Sequence, residues 1–305
     1  MLAMRLVRFL TLPWLLAAAL LLPSGVAAQD VGLWIRADCT TLTGPVAGQT
    51  WCFDSTARLL KVWDGSAYVG SSTGPYAIRN LVGQNDATTP HTKYGVSADL
   101  VQLRNPTTGT VVIRTNTGTL TNDILLAGPA ANGRDQAAVF AVSTWLHLYF
   151  IWNGTTLATL SSIVAPPTGP TLPTGYTHWA YAGAVYNDAT PLLVKTRLRG
   201  TLAFYETQQT ALSGGTQATT EATVSLATLV PPNALDWRAN FFEGNATTIH
   251  LRVVTGSEYF SGASPISGLW SLTLPNIAQQ FFYFGDANPS LTVQVTGYRV
   301  PNGGD

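Results

Sequence analysis

Between residues 144 and 153 the chain reads TWLHLYFIWN, with Leu146, Leu148, Phe150 and Trp152 alternating with His147, Tyr149 and Ile151. A period of two places successive side chains on opposite faces of an extended strand, a pattern that no helix satisfies. Similar runs recur at 93–105 (KYGVSADLVQLRN), 109–116 (GTVVIRTN), 135–143 (DQAAVFAVS) and 178–187 (HWAYAGAVYN). Between them lie Asn105-Pro106-Thr107-Thr108-Gly109, Gly128-Pro129-Ala130-Ala131-Asn132-Gly133 and Asn153-Gly154-Thr155, all rich in turn formers. Strands at this spacing predict a sandwich or jelly-roll rather than alternating βα units.

Composition agrees. Charged residues make up 10% of the 305, against about 25% in ordinary domains, and hydrophobic residues make up 46%. Thr, Ser, Asn, Gln, Gly and Pro fill the gap, and Lys, Glu and Met, which cover exposed helix faces, are scarce. The expected class is all-β. With 16 basic and 16 acidic residues the formal charge is zero, and no Lys/Arg run offers a surface for nucleic acid or anionic membrane.

Residues 1–28 stand apart. Arg5 and Arg8 precede an apolar run from Phe9 to Leu22, and Pro23, Ser24 and Gly25 end it before the small residues Val26 and Ala28. This is the pattern of an export signal, and the run is shorter than the roughly 20 residues that span a bilayer. The alternative is a retained hydrophobic helix, an anchor, which would be the chain's one contact with a membrane. Cys39 and Cys52 are the only cysteines. In an exported chain they suggest a disulfide closing a short loop, and the alternative is two buried thiols.

Residues 29–70 read as a small β-hairpin module, in which LLKVW and SAYV flank Asp64-Gly65, a strong hairpin signal. The stretch from Gly48 to Tyr68 carries Gly48, Gln49, Trp51, Phe53, Asp54, Ser55, then Leu60, Lys61, Val62, Trp63, Asp64, Gly65, Ser66, Ala67 and Tyr68. It resembles a module of bacteriophage tail-fibre and tail-associated virion proteins, and departs from it by inserting Cys52 between the Trp and the Phe. A second resemblance to phage proteins rests on Ser143, Thr144, Trp145, His147, Pro170, Thr171, Leu172, Pro173, Tyr176 and Gly183. The basic pair that usually follows the Tyr is missing, and His178 and Trp179 stand near that place. The end of the chain, FFYFGDANPSLTVQVTGYRV, resembles the closing strands of the same proteins.

The expected organisation is therefore a leader or anchor helix at 1–28, the hairpin module at 29–70, and β-sandwich domains at 71–205 and 206–305. The resemblance implies a non-enzymatic virion component acting in assembly or host-surface attachment. Its implied partners are two further copies of the chain in a trimer, other virion proteins and a cell-surface glycan, and its implied location is the virion. The leader supports an alternative, an exported carbohydrate-binding or adhesive sandwich protein of the periplasm or exterior.

Local motifs for chemistry are missing. The four His, at 91, 147, 178 and 250, form no HExxH or His-x-His, and no GxSxG occurs. Asp86, Asp99, Asp123, Asp135, Asp188, Glu206, Glu221, Glu243 and Glu258 form no local carboxylate pair of the kind glycoside cleavage uses. Asn187-Asp188 and Asp286–Asn288 read as turn formers, and Ser213-Gly214-Gly215 as a loop. No catalytic residue, metal ligand or cofactor is expected. Trp145, Trp152, Tyr176, Trp179 and Tyr181 remain as candidate ligand-facing aromatics, with core packing or a partner subunit as the alternative for the face they occupy.

Overall fold

The alternating runs fold as strands, and no helix occurs among the described residues. In this computed structural model those residues are 33–36, 51–54, 59–63, 68–70, 78–189, 192–216, 219–244, 248–262, 269–285 and 290–301. The leader or anchor expected at 1–28 lies outside them. The chain divides into two units, Met1–Gly70 and Ser71–Asp305.

The first unit contains β1 (Leu33–Arg36), β2 (Trp51–Asp54), β3 (Leu59–Trp63) and β4 (Tyr68–Gly70), in that order in one sheet. β1 runs parallel to β2, and the other pairs are antiparallel. Val62 pairs with Val69 and Trp63 with Tyr68, so the strands flanking Asp64-Gly65 do meet as a hairpin. Cys52 is fully buried and disulfide-bonded, and Cys39, the chain's other cysteine, lies outside the described residues.

The second unit begins with β5 (Ile78–Arg79), β6 (Val82–Asn85), β7 (Lys93–Ser97), β8 (Leu100–Arg104), β9 (Val111–Thr115) and β10 (Leu120–Asp123). β11 (Gly133–Arg134), β12 (Thr144–Trp152), β13 (Leu157–Ser162), β14 (His178–Asn187) and β15 (Thr196–Arg199) follow. The last group is β16 (Leu202–Gly215), β17 (Ala222–Ser225), β18 (Asp236–Glu243) and β19 (Ile249–Val254), then β20 (Ser257–Gly262), β21 (Leu269–Pro275), β22 (Gln280–Gly285) and β23 (Leu291–Arg299).

An eight-stranded sheet in the order β10-β7-β6-β15-β16-β23-β18-β21 forms the base. A seven-stranded sheet, β11-β13-β12-β14-β8-β5 with β9 on β8, and a four-stranded sheet, β17-β22-β19-β20, both pack on it. Trp145 of β12 meets Tyr298 of β23 edge-on at 5.3 Å, and the Tyr298 hydroxyl donates to Ala184 O of β14 at 2.8 Å. Trp237 of β18, paired with Tyr298, meets Phe281 of β22 at 5.5 Å. Paired residues share a face. The two smaller sheets therefore cover the same face of the base, side by side, and share one core.

This corrects the expected break between 205 and 206. That point falls inside β16, which runs unbroken from Leu202 to Gly215 and joins strands of both halves through β15 and β23. Two separate sandwiches give way to one unit because the base sheet draws strands from both. Ser213-Gly214-Gly215 is accordingly the end of a strand, not a loop. The run at 93–105 splits at Ala98-Asp99, sending β7 to the base and β8 to the seven-stranded sheet.

The strand expected at 135–143 does not form. Some of its backbone carbonyls are served by side chains instead. Arg134, 3% exposed, donates Nη2 to Ala137 O at 2.9 Å, and Asn187 Nδ2 donates to Ala141 O at 2.9 Å. With Phe140 buried as an anchor, the segment holds its place without a ladder.

Candidate functional site

β12 lies between β13 and β14, so both of its edges are paired. Its partner β14 carries a bulge: Leu148 pairs with Gly183, and Tyr149 pairs with Tyr181, skipping Ala182. The extra residue reverses the alternation. Trp179 and Tyr181 thereby join Ala184 and Tyr186 on the face shared with Trp145, His147, Tyr149 and Ile151.

The face is an aromatic array. Trp145 packs against Tyr186 at 5.1 Å, Tyr149 against Tyr181 at 5.4 Å, and Tyr149 meets Trp179 edge-on at 5.3 Å. His147 Nδ1 lies 3.1 Å from the Tyr181 hydroxyl, which also accepts from Asn233 Nδ2 at 3.0 Å. His147 is 1% exposed, and burial pushes its pKa down to about 4, so it is neutral near pH 7. Burial also raises the pKa of Tyr149 and of Tyr181 well above the ordinary phenol value. These are satisfied polar groups of a core.

That burial corrects the ligand-facing assignment for Trp145, Trp152 and Tyr181, which are 8%, 7% and 1% exposed. Trp145 Nε1 donates to Ala227 O at 2.8 Å, and its ring is covered by Tyr186 and Tyr298. Trp152 holds the Arg114 guanidinium over its ring at 3.7 Å. Trp179 is half-buried, but the backbone at Gly169 lies against it: a Cβ there would stand 2.6 Å from the ring. Tyr176, also half-buried, packs against the core. The sequence shows where aromatics cluster, but not that a second sheet closes over them.

Several of the described acidic residues make structural contacts. Asp86 caps the turn through Thr88 N and Thr89 N at 2.9 and 2.7 Å, and those bonds hold its carboxyl below the usual range. Asp99 accepts from Asn80, Asp123 faces Lys93, Glu206 faces Arg197, and Glu221 faces Arg252. Glu243 accepts from Ser290 N. Asp135 is buried and accepts from Thr171 N at 3.3 Å. No cluster of three or more His, Cys, Asp or Glu occurs among the described residues.

A concave site with a volume of about 270 Å³ forms among the described residues at the ends of β12 and β14. Ser143, Tyr186 and Asp188 line it from the seven-stranded sheet, Tyr205 and Gln209 from β16, and Thr228 and Leu229 from the β17–β18 connection. That connection is pinned. Tyr205 Oη donates to Leu229 O at 2.6 Å, and Leu226 O accepts from both Leu229 N and Val230 N at 2.8 Å. Opposite, Val194 N donates to Tyr186 O and Asp188 N to Leu192 O, both at 2.9 Å. Ser143 takes a left-handed φ of 56° where the chain enters β12.

The sequence gives no sign of this cleft. Its residues come from four separated segments, and Asn187-Asp188 reads locally as a turn. In comparisons with protein-family models, characterised proteins and solved structures, no match to this chain is found.

Proposed function

We propose that this chain is a non-enzymatic virion component of tail-fibre or fibre-associated type, acting in assembly or host-surface attachment. The observation that carries this reading is the run Trp51, Phe53, Asp54…Trp63-Asp64-Gly65-Ser66, in a four-stranded unit that ends at Gly70. The employment of several described acidic side chains in caps and ion pairs supports a binding or structural role. A homotrimer is part of the proposal, since the outer edge of β16 beyond Tyr205 carries no partner among the described strands, and subunit contact covers such edges.

Mass spectrometry of gradient-purified phage particles tests this: the chain should be present at a fixed ratio to the other structural proteins. Its absence from particles, with recovery from the periplasm or medium, overturns the proposal. Light scattering on the purified chain should give three times the monomer mass.

A second reading, an exported carbohydrate-binding or adhesive protein, is favoured by one specific observation. Cys52 is disulfide-bonded, which suits an oxidising compartment, and the leader-like segment at 1–28 would deliver the chain there. Its test is the mature N-terminus. A chain beginning after Ala28 supports export, and an intact Met1 or Leu2 removes it.

A further inference from the structure

We infer that the cleft between Tyr186, Asp188 and Gln209 binds one ring of a neutral saccharide. The inference deepens the attachment half of the function proposed above and rests on it for its biological setting.

Size comes first. A volume of about 270 Å³ lies just below the range of sites for drug-sized ligands and suits one pyranose ring, not an extended apolar molecule. Charge comes next. No Lys, Arg or His lines the cleft among the described residues, so phosphate, sulfate and carboxylate ligands find no counter-ion. The one charged group is the Asp188 carboxylate. Its Oδ1 accepts from Ala189 N at 2.6 Å, and Oδ2 makes no hydrogen bond to a described residue, leaving an acceptor for ligand hydroxyls.

The neutral groups fit the same chemistry. Ser143 and Thr228 add hydroxyls, and Gln209, whose Nε2 is taken by Thr207 O at 2.6 Å, keeps its amide oxygen as an acceptor. The Tyr186 hydroxyl has no hydrogen-bond partner among the described residues and is not among the buried unpartnered atoms, so solvent or a ligand reaches it. Leu229, Val194 and the edge of Tyr205 supply apolar surface for the C–H faces of a ring. Polar groups on both walls of a mixed cleft favour a compact polyol over a peptide strand.

The walls are also preorganised. The hydrogen bonds at Leu229, Val230, Val194 and Asp188 fix both sides before a ligand arrives, which lowers the entropy lost on binding.

The test uses the full chain and a panel of methyl glycosides of neutral hexoses, read by saturation-transfer NMR and by calorimetry. At least one glycoside should bind, with a Kd on the order of 1 mM for a single ring. Asp188→Asn, which keeps an oxygen for Ala189 N, should weaken binding about tenfold. Tyr186→Phe should weaken it about fivefold. Ala189→Trp, at an exposed lining position, should fill the cleft and abolish binding, and Gln208→Ala, outside it, should leave binding unchanged. Thermal unfolding within 2 °C of the parent, roughly the scatter of surface variants, shows that each variant folds.

No binding by any glycoside overturns the inference, as does binding that survives Ala189→Trp. A glycan array then separates sources. Retention of oligosaccharides ending in the preferred hexose identifies a surface glycan as ligand, and binding of the free glycoside alone identifies a small soluble sugar. Absence of sugar binding by the parent chain, with that chain present in particles, overturns the cleft and leaves the virion reading standing. Sugar binding by a chain absent from particles does the reverse.

Discussion

Gly183 and Leu198 share one space between the base sheet and the seven-stranded sheet. A Cβ on Gly183 would stand 2.9 Å from Leu198 Cδ1, and Gly183 has a φ of 151° as part of the bulge that reverses β14. Leu198 is fully buried and is met from its own sheet by Gly83, where a Cβ would also lie 2.9 Å away.

Gly183→Ala should therefore destabilise the second unit by about 2 kcal/mol, through overpacking and backbone strain. Leu198→Ala opens a cavity and should cost about 3 kcal/mol by itself. The double variant should be less destabilised than the sum, because the smaller side chain makes room for the added methyl. Urea unfolding of the four proteins measures the coupling, and strictly additive values would refute the shared space.

His147 gives stability a pH dependence of defined sign. Its pKa is lowered from 6.5 to about 4 by burial, so the folded state holds it neutral where the unfolded chain takes up a proton. The contribution is complete above pH 6.5 and is lost as pH falls from there to about 4. It amounts to something on the order of 3 kcal/mol. His147→Gln, able to keep a hydrogen bond to Tyr181, should flatten the acid limb in that window. Parallel stability–pH curves for parent and variant would contradict the assignment.

Many strands were legible because each carries its own period of two and its own turn residues: β12 and β14 have bounds that match the apolar runs almost residue for residue. What the period could not show is which sheet each strand enters. β7 and β8 are neighbours in one run and lie in different sheets, and β16 carries the base across the expected domain break. The bulge at Ala182 inverts the face of Trp179 and Tyr181, so alternation counted through it assigns them wrongly. The aromatic cluster was visible and its closure was not, since burial depends on β23, over a hundred residues away. The cleft was invisible for the same reason.

The disulfide of Cys52 should act on the first unit alone. Both cysteines fall within Met1–Gly70, and their sequence separation implies a short closed loop worth about 3 kcal/mol. Reduction should lower an early unfolding transition and leave that of Ser71–Asp305 in place. Differential scanning calorimetry with and without reductant resolves the two, and a common shift of both would show that the units unfold together.

Arg134 is the strongest single test of how the segment from Ile124 to Ala141 is held. It is 3% exposed, and its Nη1 donates to Ile124 O and Leu125 O at 2.9 and 3.2 Å, while Nη2 donates to Ala137 O at 2.9 Å. A guanidinium spreads five donors over a fixed planar fork and so reaches carbonyls on different sides; an ammonium has three donors on one nitrogen and lacks that spread. Arg134→Met should leave these carbonyls unpaired and cost about 3 kcal/mol, and Arg134→Lys should recover little of it. Hydrogen exchange would show whether the loss is local. Protection should fall across residues 124–141, including the amide of Gly128, which donates to Gln136 O at 3.0 Å, while the β12–β14 ladder keeps its protection. Uniform loss across both would mean that Arg134 supports the whole fold and not this one irregular stretch.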